Sequence, residues 1–298
     1  MESSSLPPYV QERAQTLFRD IKELQTRPKG PRVVLCEGVF PGVGVTEVLR
    51  LVEQRLRERG TPVHYLDWRR EQAQVPSSAA WQNQLAWWDP SIVLLDHPPH
   101  EMPSGDDDYQ RVLVTKGWLY TPERQVIVIG TLRFWRFRSL ARLWLPKDAG
   151  QVSSYPVSTV PKEEWPDALR GIVDQYGLEF PGLPWQVLKF WSEFASAPTE
   201  EARWRAALHH YFLLWERWEG WAYPRLQNLW ERLRILCAEP LRKPNPRQWS
   251  PWWFSDVVSL SAEAVEFHTH LKPLVDEACR LRLFMESDTA DPKEGGFP

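Results

Sequence analysis

The segment from Val39 to Thr46, V-F-P-G-V-G-V-T, has nearly the spacing of a loop that binds phosphate groups. In such loops, written GxxxxGK[ST], glycines let backbone N–H groups curl around the phosphates, a lysine reaches the β- and γ-phosphates, and a hydroxyl ligates magnesium. Gly42, Gly44 and Thr46 match this pattern. The first glycine is displaced to Gly38, and a valine stands in the place of the lysine. The spacing therefore predicts the backbone of a phosphate site without its main cation.

Val45 weakens the chemistry of this loop in two ways. A lysine about 4 Å from a phosphate contributes about 1 kcal/mol in bulk water, and about 4 kcal/mol at an effective dielectric constant near 20. The β-branched apolar side chain also offers no hydrogen bond in place of the ammonium group. Phosphoryl transfer depends on charge neutralisation and on positioning of the nucleophile. We expect hydrolysis to be lost, while nucleotide binding without turnover stays open beside a purely structural role for the glycine turn.

The loop lies between a predicted strand, RVVLCEG from Arg32 to Gly38, and a predicted helix from Thr46 to Gly60. The remaining patterns in this half are strands at 62–68, 91–99 and 125–134 and helices at 9–24 and 110–118. Continuous apolar strands separated by helices are typical of a parallel sheet that is covered on both faces. The sequence therefore predicts an α/β fold with a parallel sheet flanked by helices.

Groups suited to phosphate follow three of the predicted strands. The glycine turn follows Gly38, Asp96 ends SIVLLD, and the triplet Thr131-Leu132-Arg133 ends the fourth strand. Ligands of parallel sheets bind at the carboxyl ends of the strands. Separate segments therefore point to one site, in which Thr46 and Asp96 would hold a metal and Arg133 would contact a terminal phosphate.

The second half of the chain is predicted to be helical, because strand signals stop after Val160. The helical patterns cover residues 161–176, 184–195, 200–217, 225–239, 250–260 and 261–282. The run RLRLF from Arg280 to Phe284 predicts one short strand after the last helix. An all-helical region therefore follows the α/β domain.

These features together resemble P-loop ATPases of the AAA+ and STAND groups. In those families GxPGxGKT follows a strand ending in Glu-Gly, as in CEGVFPGVGVT, and a Walker B strand ends in an acidic residue, as SIVLLDHPP does at Asp96. The second acidic position of AAA+ members, which polarises the attacking water, falls at His97. STAND members carry a polar residue and an arginine after the fourth strand, similar to Thr131 and Arg133. They also carry a G-x-P turn behind the adenine, similar to Gly182-Leu183-Pro184.

The resemblance implies a division of the chain into four regions. These are a degenerate P-loop NTPase-like α/β domain at 1–155, a helical lid-like region at 156–222, a winged-helix-like domain at 223–285, and a polar tail at 286–298 that is predicted to be disordered. The implied cofactor is ATP or ADP with magnesium. The implied nucleotide-binding residues are Gly38, Gly42, Gly44, Thr46, Asp96, Thr131, Arg133, Gly182 and Pro184. We predict no catalytic residue.

By this resemblance the chain is predicted to be a non-hydrolysing regulatory or adaptor module that acts through protein–protein contacts. Relatives with this architecture act as switches in signalling and in prokaryotic immunity, so the implied context is a prokaryotic defence or signalling system with the effector or sensor on a separate chain. Two alternatives stay open. The first is a weakly active ATPase whose cation comes from Arg32, Lys116 or a partner subunit, and the second is a DNA-binding AAA+-like factor.

Charge and composition narrow these classes. The helix that would read DNA carries four acidic residues against three basic ones, and the formal net charge of the 298 residues is −3, so neither favours nucleic acid. No apolar run approaches the roughly 18 residues of a membrane span. Three scattered cysteines and the lack of a signal peptide predict a cytoplasmic protein.

Most of the 18 tryptophans lie after Trp135, and we expect such rings to fill the core, with an aromatic binding surface as the alternative.

Overall fold

The computed structural model describes residues 6–26, 32–99, 105–121, 124–133, 143–145, 152–222, 262–281 and 283, without the side chains of 72–73, 215–222, 262–265, 267, 268 and 279. The chain divides into two compact units, Met1–Val160 and Pro161–Pro298. None of the described helices is both long enough and apolar enough to cross a membrane.

The first unit contains a parallel sheet, as predicted, but with five strands where the sequence indicated four. Its strands are β1 (Arg32–Gly38), β2 (Val63–Asp67), β3 (Ile92–Asp96), β4 (Val126–Leu132) and β5 (Val152–Val157). They lie in the order β2-β3-β4-β1-β5, and every neighbouring pair is parallel. The first four strands correspond to the predicted runs. The fifth, VSSYPV, is an edge strand that the sequence analysis missed, because its serines and proline break the apolar run and half of it is exposed.

Helices cover both faces of this sheet. The helices are α1 (Pro8–Gln25), α2 (Val45–Glu58), α3 (Trp68–Gln74), α4 (Ser78–Ala86) and α5 (Asp106–Leu119). The α1 and α2 helices pack on each other, and α2 packs on the first four strands. On the opposite face, alternate residues of β1, β3 and β4 form one core with α4 and α5. The short α3 and α4 were not predicted; side chains of Asp67 and Ser77 cap their first turns by accepting bonds from N–H groups.

Tryptophans build much of the core on this second face. The rings of Trp81 and Trp144 are fully buried, and each meets the Trp68 ring edge-on, with centroids 6.0 and 5.3 Å away. The Trp81 indole donates a hydrogen bond of 2.7 Å to the hydroxyl of Thr115 on α5. Trp87 differs, because 87% of its side chain is exposed. For most described tryptophans the core interpretation holds.

The second unit is helical where it is described. After a 3₁₀ turn at Lys162–Glu164 it contains α6 (Asp167–Gln175), α7 (Trp185–Glu193), α8 (Glu200–Ala222) and α9 (Ala262–Arg280). These correspond to four of the predicted helical patterns. The other two, at 225–239 and 250–260, lie outside the described residues, as does most of the predicted winged-helix-like region.

The predicted strand at RLRLF is wrong at its described positions. Leu281 and Leu283 lie in a turn, where their N–H groups donate to the carbonyls of Glu277 and Ala278 at 2.9 and 3.2 Å. The backbone N–H groups that a strand would use are therefore already bound to the end of α9.

One buried carboxylate connects the helices of the second unit. Glu277 on α9 has no exposed side-chain surface, and it accepts hydrogen bonds of 2.7 Å from the Trp204 indole on α8 and from the Arg280 guanidinium. The guanidinium also lies 3.7 Å above the centroid of the Tyr176 ring, directly after α6. The burial of Glu277 is thus compensated by a cation and by a neutral donor.

Candidate functional site

The predicted phosphate loop occupies the turn between β1 and α2. β1 ends at Gly38, and α2 begins at Val45 with Gly44 as its N-cap. The backbone φ angles of Gly42 and Gly44 are +76° and +105°, a region that side chains disfavour and glycine adopts freely. The glycines that matched the motif are therefore the ones that the turn geometry requires.

The loop leads directly into the N-terminus of a helix. The first N–H groups of α2, which begins at Val45, have no acceptor within the helix itself. Such groups at a helix N-terminus, together with the helix dipole, attract phosphate. The turn therefore has the backbone arrangement that phosphate loops use.

The side chains of the loop are apolar and packed. Val39, Phe40 and Val43 are 4%, 0% and 1% exposed. A methyl group on Gly38 would lie 3.0 Å from Cγ2 of Val45, so this side chain packs against the end of β1. Where a lysine would extend toward phosphate, Val45 instead fills space at the ends of the strands.

Gly130 on β4 gives room to the same cluster. A methyl group there would lie 2.8 Å from Leu49 Cδ1, 2.9 Å from Asp96 Oδ1 and 3.1 Å from Val45 Cγ1. This glycine was not among the predicted site residues. A glycine inside the apolar run VIVIG was the available signal, since such a residue often marks a close approach in a sheet.

Two carboxylates end neighbouring strands beside the loop. Asp67 on β2 and Asp96 on β3 are register partners. The Tyr65 hydroxyl donates to Asp96 Oδ2 at 2.5 Å, and the backbone N–H of His97 donates to Asp96 Oδ1 at 3.0 Å. Asp96 is 1% exposed, and both of its oxygens accept bonds from the protein.

His97 joins the loop to these carboxylates. Its Nε2 lies 3.3 Å from Thr46 Oγ1, within hydrogen-bonding distance. Its Nδ1 lies 3.4 Å from Asp96 Oδ2 and 3.5 Å from Asp67 Oδ1. With a φ of +52°, His97 is the one non-glycine residue of the described part that has a positive φ. The structure thus brings Thr46 and Asp96 to one place, with the imidazole between them.

The surroundings shift the pKa values of two residues beside this cluster, Asp67 and Tyr65. Burial alone would raise the pKa of the Asp67 carboxyl, but His97 and then Arg50, whose Nη2 lies 3.9 Å away, help to lower the pKa below its usual value. Burial, followed by the Asp96 carboxylate, raises the pKa of the Tyr65 hydroxyl above its usual range. Asp67 is therefore held as an acceptor, and Tyr65 as a donor.

Magnesium, which the resemblance implies, does not fit these residues. The ion takes six oxygen ligands at about 2.0–2.1 Å in a near-octahedral arrangement. Here the imidazole of His97 lies between the Thr46 hydroxyl and the Asp96 carboxylate, at the position that an ion linking the two would take. No group of three or more His, Cys, Asp or Glu residues suited to a metal occurs among the described residues.

Four further residues were predicted to bind the nucleotide, namely Thr131, Arg133, Gly182 and Pro184. Thr131 pairs in register with Glu37, and its hydroxyl donates to the carbonyl of Leu132 at 3.4 Å. Arg133 directly follows β4. Gly182 and Pro184 belong to the second unit, where Pro184 is the N-cap of α7. The roles of these four residues toward a nucleotide remain predictions.

Comparisons with known proteins give remote structural likenesses. No family model and no curated protein matches the chain. A Walker-type ATPase of Pyrococcus abyssi is 13% identical, with a TM-score of 0.46 over 90% of this chain and 95% of its own. The ADP form of the Aeropyrum pernix ORC2 protein is 13% identical, with a TM-score of 0.39 over 72% and 75%. AMPPCP-bound DnaA from Aquifex aeolicus is 12% identical, with a TM-score of 0.34 over 93% and 89%.

The fold can be assigned from the described strands themselves. A parallel sheet has β1 between β4 and β5, and β1 leads through a glycine turn directly into α2. An acidic residue ends β3, two strands from β1. The first unit therefore has a P-loop NTPase-like α/β fold.

Proposed function

We propose that this protein is a non-hydrolysing regulatory or adaptor module of the STAND or AAA+-like kind, which acts through protein–protein contacts with a separate effector or sensor chain. The observation that carries the proposal is the position of His97. Its imidazole lies between the loop hydroxyl of Thr46 and the strand-end carboxylate of Asp96. It also stands where the resemblance puts the water-polarising carboxylate.

The rest of the site supports the same proposal. Val45 provides no cation to the loop and packs at the strand ends. Phe40 is fully buried, so packing contributes to holding the loop. Phosphoryl transfer needs charge neutralisation and a positioned nucleophile, and this cluster supplies neither the lysine nor the second carboxylate. A loop with a fixed shape and no turnover suits a module that presents a surface to a partner.

We expect ATP hydrolysis by the wild-type chain to equal the background rate of the Asp96→Ala variant, with or without magnesium. Phosphate release under steady-state conditions measures this rate. Asp96→Asn serves as a conservative second variant, because it keeps the shape of a side chain that is almost fully buried. A wild-type rate about tenfold above both variants would support the alternative of a weakly active ATPase.

A second candidate function, nucleotide binding without turnover, is favoured by the loop backbone. Gly42 and Gly44 keep positive φ angles, and the first N–H groups of α2, which begins at Val45, have no acceptor within the helix. These groups would hold the phosphates of ATP or ADP. In this form the module would respond to the nucleotide as a ligand only.

Millimolar ATP is therefore expected to raise the thermal unfolding temperature. A ligand at 100 times its Kd stabilises the native state by about 2.7 kcal/mol, which corresponds to a shift of several degrees. Adenosine, which has no phosphates, is the matched control and should leave the Tm unchanged. A flat response to millimolar ATP would leave the glycine turn with a structural role alone.

A further inference from the structure

The cluster around His97 differs from a metal site in having its central position filled by a side chain. The imidazole Nε2 lies 3.3 Å from the Thr46 hydroxyl, and Nδ1 lies 3.4 to 3.5 Å from carboxylate oxygens of Asp96 and Asp67 without a hydrogen bond to either. A divalent ion at the same place would have to link the same hydroxyl to the same strand ends. Histidine and metal are thus alternatives at one position.

The backbone shows that a histidine is not the easiest residue to accommodate here. The φ of +52° at His97 favours glycine or asparagine, because a Cβ atom crowds the backbone in this conformation. The Asp96 carboxylate nevertheless stabilises the turn by accepting the His97 N–H at 3.0 Å. A non-glycine residue therefore holds a left-handed backbone conformation directly beside the strand-end carboxylate.

The charges around the imidazole are those that a cation would balance. Asp96 and Asp67 have side chains that are 2% and 17% exposed, and they end adjacent strands. Arg50 approaches Asp67 at 3.9 Å and lies 5.0 Å from the centroid of the Tyr65 ring. Carboxylate oxygens of Asp96 and Asp67 both lie beside the same ring nitrogen, His97 Nδ1, at 3.4 and 3.5 Å. The imidazole therefore occupies the space that an ion shared by the two carboxylates would need.

Resting on the proposed non-hydrolysing function, we infer that His97 is a built-in substitute for the divalent cation. It connects the phosphate loop to the strand ends without an exchangeable ion. The phosphate group that suits this loop is consequently one that is not chelated by a metal, such as the free diphosphate of a nucleotide. Removing the imidazole should expose a cation site that the wild-type chain lacks.

Binding of Mn²⁺, followed through the EPR signal of the free ion, tests the inference on the full chain. The variant His97→Gly removes the side chain and suits the positive φ, and the double variant His97→Gly/Asp96→Asn removes the main carboxylate. We expect His97→Gly to bind one Mn²⁺ per chain at least about tenfold more tightly than the wild type. The wild type and the double variant should bind equally weakly.

Two results would overturn the inference that His97 takes the place of the cation. One is wild-type Mn²⁺ binding that the Asp96→Asn change abolishes, because the imidazole would then not exclude the ion. The other is a folded His97→Gly chain that binds Mn²⁺ no better than the wild type. If the His97→Gly chain does not fold, Mn²⁺ binding is measured on His97→Asn instead, because asparagine also tolerates a positive φ.

A nucleotide titration separates this inference from the proposed function. ADP should bind the wild type with the same affinity, within about a factor of three, in EDTA and in magnesium. Affinity that requires magnesium would contradict the metal-free site. If ADP does not bind at all, nucleotide binding is lost as a function, and the Mn²⁺ measurement still decides the role of His97. Hydrolysis by the wild type would refute the proposed function and is measured independently of both titrations.

Discussion

Replacing Trp81 with alanine is expected to lower the free energy of unfolding by about 3–5 kcal/mol. The indole is 2% exposed and lies in the core between α4 and the sheet. Its removal leaves a cavity and leaves the Thr115 hydroxyl without the donor that now lies 2.7 Å away. It also removes edge-on contacts with the rings of Trp68 and Trp88. Urea denaturation followed by far-UV circular dichroism measures the loss.

Two matched variants isolate the cause of this effect. Trp87→Ala removes the same type of side chain from the end of the same helix, but 87% of that side chain is exposed, so we expect a change within about 0.5 kcal/mol. Thr115→Val removes the acceptor and keeps the ring, and should lose about 1–3 kcal/mol. Equal losses from Trp81→Ala and Trp87→Ala would refute the core role of the buried tryptophans.

Replacing Glu277 with alanine is expected to destabilise the second unit by about 3 kcal/mol. The carboxylate is fully buried and accepts bonds from the Trp204 indole and the Arg280 guanidinium. Without it, a buried indole N–H has no acceptor. The guanidinium is 32% exposed, so water compensates part of its loss, and we place the effect at the lower end of the range for broken buried pairs.

The neighbouring Asp276 provides the control for this second prediction. Its ion pair with Lys272 is 2.5 Å long, but both side chains are more than a third exposed, at 39% and 44%. Pairs of this kind contribute about 0–1 kcal/mol. Thermal unfolding of Glu277→Ala, Glu277→Gln and Asp276→Ala would compare the three sites. A loss from Asp276→Ala as large as that from Glu277→Ala would contradict the assigned network.

The central sheet could be predicted from sequence because its strands have a simple physical signature. Strands buried on both faces need apolar residues at every position, and RVVLCEG and QVIVIGTLRF show that pattern directly. The edge strand VSSYPV has a neighbouring strand on one side only. Its residues are therefore partly exposed, and serine and proline are tolerated there. Short helices such as α3 and α4 depend on capping and packing more than on periodicity, which is why their patterns were not recognised.

The sequence predicted that Thr46 and Asp96 lie close together, but it did not predict that His97 lies between them. Strand ends placed Thr46 and Asp96 on the same edge, because parallel strands bring their carboxyl ends together. The role of His97 depends on a positive φ and on the orientation of one ring, and neither follows from local sequence. The sequence held only a weak indication of Tyr65 and Asp67. Asp67 ends the strand next to the one that ends in Asp96, and residues two apart on a strand share a face.

The loop between β1 and α2 contains residues that the turn geometry requires and one residue that departs from the phosphate-binding pattern. Gly42 and Gly44 are required by the turn whether or not a ligand binds, because their φ angles are positive. Val45, in contrast, replaces a charged side chain with one that packs beside Gly130 at the strand ends. The matching residues thus report the fold, and the substituted position is one basis of the proposal that hydrolysis is absent.

Single-turnover hydrolysis of ATP, with protein in excess over nucleotide and magnesium present, tests the central claim most directly. The proposed function predicts that phosphate release by the wild type is indistinguishable from release by Asp96→Ala, because His97 lies between Thr46 and Asp96 and the loop has no lysine. Wild-type release about tenfold faster than that of Asp96→Ala would contradict the claim.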